Sequence, residues 1–211
     1  MSEKIIAIVA NGRPLESKLA VQAVKSASVI IAVDGGAISC KECRIKPDFI
    51  IGDFDSISRK TLEHFQDVEV IHIDDQYSTD MEKALNFATS LKPDRLIILS
   101  AFGKRMDHTI ANLLFLTRYN ETIPVEIYDN YGRMTILKEG KHILHHKPGT
   151  LISFFSPYPV KNLTLHGFRY NLQNQDYDPY FVGMSNVCEQ DECVIEFKTG
   201  RIFSYLVLKE N

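Results

Sequence analysis

The sequence predicts an α/β domain built on an open, Rossmann-like parallel sheet, followed by a small all-β sandwich domain. Two observations carry this. Through about residue 129, short β-branched runs alternate with segments of helical spacing, and the helical period stops after Gly132. The change comes near Asn130 to Arg133 with no long flexible linker, which divides the chain into 1–130 and 131–211.

The runs of the first half are "KIIAIVA", "SVIIAVD", "DFIIGD", "VEVIHID", "RLIILSA" and "PVEIYD". Most are nearly continuous apolar stretches, as parallel strands buried on both faces require. Between them, Leu19, Ala20, Ala23, Val24 and Ala27 recur at helical spacing, as do Met81, Ala84, Leu85, Ala88 and Leu91. A third set is Ile110, Leu113, Leu114 and Thr117. The βαβα order implies a sheet of about six strands with right-handed crossovers. In the second half, short strands are punctuated by Glu-Gly, Pro-Gly and Pro-Tyr-Pro. "CVIEFKTGRIFSYLVLK" reads as a hairpin turning at Thr199-Gly200.

The bulk numbers exclude several classes. A net charge of −3 argues against a nucleic-acid-binding surface. No apolar run approaches the ~20 residues of a membrane span. The start, "MSEKIIAIVANG", begins with an acid and lacks the basic start, long apolar stretch and small-residue cleavage site of a signal peptide, so a cytoplasmic protein is expected. Cys40 and Cys43 match C-x-x-C, but Cys188-x4-Cys193 is not the second half of a zinc knuckle, so all four read as incidental thiols. His145 and His146 fall in an alternating stretch and read as structural.

Acids mark the ends of successive strands. Asp34 follows "SVIIAV", Asp53 and Asp55 follow "FIIG", and Asp74 and Asp75 follow "VEVIHI". The cluster Lys104, Arg105, Asp107 and His108 follows "RLIILSAF". In a parallel sheet these positions share the carboxyl edge, where open α/β sheets bind ligands. If the extended backbone persists past Asp53, the carboxylates of Asp53 and Asp55 lie ~6–7 Å apart on one side. At that distance they repel by about 2–3 kcal/mol at an effective dielectric of ~20, which a bound cation would offset. Thr79-x-x-Glu82 is a capping box, and Asp80 suits a helix N-terminus through the dipole. That same N-terminus lies on the ligand edge, where its amides suit phosphate. Asp107 could equally cap the helix through Ile110. No P-loop, G-x-G-x-x-G, G-x-S-x-G or H-E-x-x-H is present. The chemistry indicated is a Mg²⁺-polyphosphate site, with the substrate left open.

Taken in order, these residues resemble the thiamin pyrophosphokinase (thiamin diphosphokinase) family. The matching elements are Asp34-Gly35-Gly36 and Gly52-Asp53-Phe54-Asp55-Ser56, then Gln76 with Thr79-Asp80 and Lys83-Ala84-Leu85. Gly103-Lys104-Arg105-Met-Asp107-His108 with Asn112 follows, and then Gly167 to Leu172 and Gly183-Met-Ser185-Asn186. The resemblance implies an α/β ATP- and Mg²⁺-binding catalytic domain and a β domain for thiamin and dimerisation. It implies transfer of the β,γ-pyrophosphoryl group of ATP to thiamin, leaving AMP. Asp53, Asp55 and Asp80 would be metal ligands, with Asp34 beside the phosphates. Gln76 and Thr79 would contact the nucleotide or the transferred group. Arg105 would stabilise phosphate charge, and Asp107 would order that loop or support the metal. Lys104, His108, Asn112, Ser185 and Asn186 complete the substrate contacts. The partners implied are thiamin, ATP and a second copy of the chain in a homodimer with shared sites. Two departures stand out: Lys104 occupies a position often held by glycine, and the chain has no Trp. Tyr170, Tyr177, Tyr180 and Phe181 are the candidates for the aromatic wall. The alternatives are a Mg²⁺-dependent nucleotide- or nucleotide-sugar-using transferase, or a non-catalytic thiamin- or ATP-binding sensor.

Overall fold

The computed structural model describes residues 3–54, 57–73, 75, 77–120 and 122–209. It divides into two compact units, Met1–Asn130 and Tyr131–Asn211.

In the first unit the elements run β1 (Ile5–Val9), α1 (Ser17–Val24), β2 (Val29–Val33), α2 (Gly36–Glu42), β3 (Phe49–Gly52) and α3 (Arg59–His64). They continue with β4 (Glu69–His72), α4 (Asp80–Ser90), β5 (Arg95–Leu99), α5 (Met106–Tyr119) and β6 (Val125–Tyr128). The strands lie in the order β6-β5-β1-β2-β3-β4, and each neighbouring pair among them is parallel. Central strand β1 is buried at every residue, which is why its sequence is unbroken Ile, Ala and Val. β4 departs from that pattern. It is the edge strand, and three of its four residues are exposed, so its run "EVIH" carries polar residues.

The apolar stripes become α1, α4 and α5. α4 buries Met81, Ala84, Leu85 and Ala88 and packs on β2 and β3. Helices α2 and α3 have no counterpart in the expected pattern, since at seven and six residues they are too short for a periodic stripe. Cys40 on α2, Cys43 at its C-terminus, Phe65 and Val68 join one core with Ile5, Ala7 and Val9 of β1. The order of strands reverses between β1 and β5: the chain moves outward through β2, β3 and β4, then returns to the other side of β1. Such a reversal opens a crevice at the carboxyl ends of the two strands.

The second unit holds eight strands: β7 (Gly132–Leu137), β8 (Gly140–His145), β9 (Leu151–Ser156), β10 (Val160–His166), β11 (Leu172–Tyr177), β12 (Phe181–Val187), β13 (Glu192–Phe197) and β14 (Ile202–Val207). They form two antiparallel groups of four, β12-β9-β14-β7 and β11-β10-β13-β8. One core draws on both, including Ile152, Phe154, Phe168, Ile195, Phe197 and Ile202.

The expected hairpin at Thr199-Gly200 is not one. β13 pairs with β8 and β10, whereas β14 pairs with β7 and β9. The chain crosses between sheets there, through Gly200 at φ +107°, where a Cβ would lie 2.5 Å from the Pro159 carbonyl oxygen. A sheet-switching corner and a hairpin ask for the same turn residue, so the sequence pattern alone does not separate them. Among the described residues, no helix is long and apolar enough to cross a membrane.

Candidate active site

The carboxyl edge of the first unit's sheet opens into a cleft of about 820 Å³. Each strand from β1 to β5 delivers polar groups to it: Asn11 after β1, Asp34 after β2, Asp53 after β3, Asp75 after β4, and Lys104 with Arg105 after β5. The N-terminus of α4 contributes Thr79 and Asp80 to the same lining.

Asp34 is the most constrained of these. It is 5% exposed and sits at φ +45°, an uncommon conformation for a residue with a side chain. Its N–H donates to the Ile51 carbonyl and its own carbonyl accepts from Ala37 N–H, so β2 turns directly into α2. Gly36 makes that turn possible, because a Cβ there would lie 2.0 Å from the Val9 carbonyl oxygen. Asp34 Oδ2 accepts from Asn11 Nδ2 at 3.3 Å. Its other oxygen, Oδ1, is buried and has no hydrogen-bond partner among the described residues. A buried carboxylate oxygen left bare costs roughly 1–3 kcal/mol or more, so a donor or cation is expected to meet it.

The D-x-D geometry differs from the extended expectation. β3 ends at Gly52, and Phe54 adopts φ +66°. This turns the Phe54 ring towards the apolar core, tilted against His72 at 5.6 Å, while Asp53 stays on the cleft. Asp55 lies outside the described residues, as do Asp74 and Gln76.

Thr79 is the N-cap of α4, and its hydroxyl accepts from Glu82 N–H at 3.2 Å. Asp80 opens the helix. Its carboxyl is held above its ordinary pKa, first by burial and then by the nearby charges of Asp53 and Asp34, against the opposing pull of Lys83. Lys83 Nζ stands 3.2 Å from Asp80 Oδ1, and the lysine side chain is only 6% exposed. Lys83 thus supplies a buried positive charge to an acidic cleft.

After β5, Lys104 Nζ donates to Asn11 Oδ1 at 2.9 Å. Arg105 lines the cleft but turns its guanidinium onto Asp107, whose carboxylate accepts from Nε and Nη2. That pairing holds the Asp107 carboxyl down at a pKa of about 2. Asp107 is not part of the cleft lining, and the N-cap position of α5 belongs to Arg105, so Asp107 sits within the first turn instead of capping it. His108 and Asn112 do line the cleft, and Asn112 Nδ2 donates to the Ala101 carbonyl, tying α5 to the end of β5.

Ser185 and Asn186 belong to the second unit, on β12. Ser185 adopts φ +53° at a break in register, and its N–H donates to Ser153 Oγ. Asn186 is 3% exposed, with Oδ1 accepting from Tyr170 N–H and Nδ2 donating to the Tyr170 carbonyl. Of the four candidate aromatics, Tyr177 and Phe181 pack on each other, their rings 4.7 Å apart, while Tyr170 and Tyr180 stand exposed.

Asn11 escaped the sequence reading, and Lys83 entered it only as part of a motif, with no role assigned. Asn11 follows the first apolar run as the acids follow the others, so a search for any polar residue at strand ends would have reached it. Lys83 lies between the buried residues Met81 and Ala84, a lysine placed within an apolar stripe. Among the described residues no three His, Cys, Asp or Glu side chains form a ready metal cage.

The family model "Thiamin pyrophosphokinase, catalytic domain" matches residues 20–127, and "Thiamin pyrophosphokinase, vitamin B1 binding domain" matches residues 141–202. The chain is 28% identical over 150 residues to a thiamine pyrophosphokinase of Bacillus subtilis, an alignment covering 68% of this chain and 70% of that one. It is 29% identical over 164 residues to thiamine pyrophosphokinase 1 of Oryza sativa, covering 70% of this chain and 61% of the rice protein. The crystal structure of thiamine pyrophosphokinase from Bacillus subtilis superposes with a TM-score of 0.83 at 24% identity, covering 98% of this chain and 100% of that one, a likeness of fold.

Proposed function

The chain belongs to the thiamin pyrophosphokinase family, and on that premise we infer that it transfers the β,γ-pyrophosphoryl group of ATP to the hydroxyethyl oxygen of thiamin, giving thiamin diphosphate and AMP. The observation that carries the placement of the reaction is the bare, buried Oδ1 of Asp34 in a cleft that also holds Asp53 and Asp80. An acceptor in that position wants a cation or a donor from a ligand.

Mg²⁺ fits the donor set. It prefers oxygen ligands, keeps several waters, and is commonly held by one or two carboxylates together with substrate phosphates, so no protein cage is needed. Asp53 and Asp80 would hold it with Asp55, and Asp34 lines the same cleft as Asp53 and Asp80. When bound, the ion supplies positive charge to phosphate oxygens. The chain's own groups do the positioning. First-turn N–H groups of α4 face the cleft end, where they suit phosphate oxygens. Lys83 keeps the acids from repelling one another before ligand arrives. Arg105 has a planar fork for phosphate, at present on the carboxylate of Asp107; both side chains are exposed, so releasing that pair costs little. Catalysis of this kind is mostly orientation and charge neutralisation, which such a cleft provides.

The reading extends to the second unit as the thiamin-binding part, with Tyr170 or Tyr180 as the accessible ring for an aromatic cation and Ser185 nearby on β12. It includes a homodimer and a cytoplasmic location, the latter in keeping with four free thiols. Incubation with thiamin, ATP and Mg²⁺, followed by chromatographic separation, tests it. AMP with thiamin diphosphate is the expected result; ADP with thiamin monophosphate would indicate an ordinary kinase. Asp55→Asn should abolish turnover and leave the fold intact without metal, because one of several repelling charges is removed.

A further inference from the structure

Asn11 stands at the end of β1, beside the point where the strand order reverses, between one cation and one anion. Lys104 Nζ donates to its Oδ1 at 2.9 Å, and its Nδ2 donates to Asp34 Oδ2 at 3.3 Å. An ammonium can only donate and a carboxylate can only accept. A carboxamide between them has a single orientation that satisfies both, because the flipped amide would turn its NH₂ to the ammonium and its oxygen to the carboxylate. Lys104 therefore fixes the orientation of Asn11, and Asn11 occupies one oxygen of Asp34. The other oxygen is then the one that remains buried on the cleft and bare among the described residues. Gly35 leaves room for the arrangement: a Cβ there would lie 2.4 Å from Asn11 Oδ1 and 2.6 Å from Nδ2.

We propose that Lys104 and Asn11 form a positioning relay that aims the free oxygen of Asp34 at the bound nucleotide complex. Lys104 acts through Asn11, not by touching the phosphates itself. This rests on the cleft being the Mg²⁺-nucleotide site. It gives a purpose to Lys104 where the resembled family often has glycine, and it makes Asn11 part of the site although no motif marks it.

The test is a double-mutant cycle read by calorimetry. The ligand is the magnesium complex of α,β-methylene-ATP, in which the bond to be broken is replaced, and thiamin is absent. Lys104→Met and Asn11→Ala should each weaken binding by about tenfold, the scale of one lost charge-assisted hydrogen bond. The double variant should bind no more weakly than Asn11→Ala alone, since the lysine has no other route to Asp34. Lys104→Arg, which keeps a donor, should recover most of the loss. Losses that multiply to about a hundredfold in the double variant would mean independent contacts and overturn the relay. Wild-type affinity in Lys104→Met would overturn it as well. Asn11→Ser takes the place of Asn11→Ala in the same cycle if the alanine variant fails to fold. If the unaltered protein does not bind the analogue, the nucleotide reading of the cleft falls and the relay with it, an outcome distinct from binding without coupling.

Discussion

Lys83 Nζ lies 3.2 Å from Asp80 Oδ1, one turn along α4, with the lysine side chain 6% and the aspartate 27% exposed. The charge of Lys83 is thus withdrawn from water on the floor of a cleft that also holds Asp34 and Asp53. Lys83→Met should cost about 1–3 kcal/mol in chelator, less than a fully buried broken pair because Asp80 remains partly hydrated. The loss should depend on pH with a definite sign. Asp80 already has a raised pKa, from burial and then from its acidic neighbours, and losing Lys83 raises it further. A carboxyl with a raised folded pKa favours the fold below its unfolded pKa and loses that advantage as pH rises through the folded value. The variant should therefore be closest to wild type in acid and fall behind towards neutrality, with part of the deficit restored by Mg²⁺. Urea unfolding across pH measures this, and an equal deficit at every pH would mean that only packing was lost.

The exposed pair Arg105–Asp107 makes a prediction of opposite sign. The Asp107 carboxyl is lowered from 3.8 to about 2, chiefly by its hydrogen bond from Arg105. A depressed carboxyl contributes stability above its unfolded pKa and loses it as pH falls through the folded one, here between 3.8 and about 2. Both side chains face solvent, so salt should screen the effect. Carbon-detected NMR titration should find the Asp107 midpoint near 2 and moved back towards 3.8 in Arg105→Lys. The same variant should lower kcat by about tenfold or more, since a point charge cannot copy the guanidinium fork on phosphate oxygens. An unchanged midpoint together with wild-type kcat would remove Arg105 from the assigned role.

The four cysteines are free and buried. Burial, with Cys43 adding to it, pushes the Cys40 thiol up to about 12, and burial with Cys193 does the same to Cys188. At pH 8 the thiolate fraction of such a group is on the order of one in ten thousand. Native protein should react with Ellman's reagent at these sites only on the timescale of unfolding, and denatured protein at once. Rapid labelling of Cys40, or stoichiometric zinc in purified protein, would contradict the incidental-thiol reading.

These particulars also show what a sequence makes legible. The six apolar runs became β1 to β6 because parallel strands covered on both faces need continuous apolar residues. The exception, β4, lies at the edge, and position within a sheet is a tertiary fact. α2 and α3 were illegible for a different reason: one or two turns of helix carry no repeat. β13 and β14 were misread as partners since pairing between distant strands leaves no local trace. In the cleft, acids were conspicuous because a charge that ends an apolar run is unusual. Asn11 was not, because an amide before a glycine looks like an ordinary turn. Lys83 could be seen as buried only once α4 had been laid against β2 and β3.

Asn186 illustrates how a motif residue can act at one remove. The resemblance marks it as a substrate contact, yet its carboxamide is engaged elsewhere. Oδ1 accepts from Tyr170 N–H and Val187 N–H, and Nδ2 donates to the Tyr170 carbonyl, which leaves one N–H unassigned. The side chain is 3% exposed, whereas Tyr170 is 64% exposed. Asn186 therefore holds the backbone that presents an exposed ring. Asn186→Ala would strand buried backbone groups and should cost about 1–3 kcal/mol in stability, with a rise in KM for thiamin. Tyr170→Ala should raise that KM with little change in stability, because its ring is largely in solvent, and Tyr170→Phe should be close to neutral on both counts. The informative comparison is the double variant. If Asn186 works by placing Tyr170, then removing both should raise KM no further than Tyr170→Ala does. If the two increases in KM multiply, Asn186 touches the substrate with its remaining donor, and the placement argument fails.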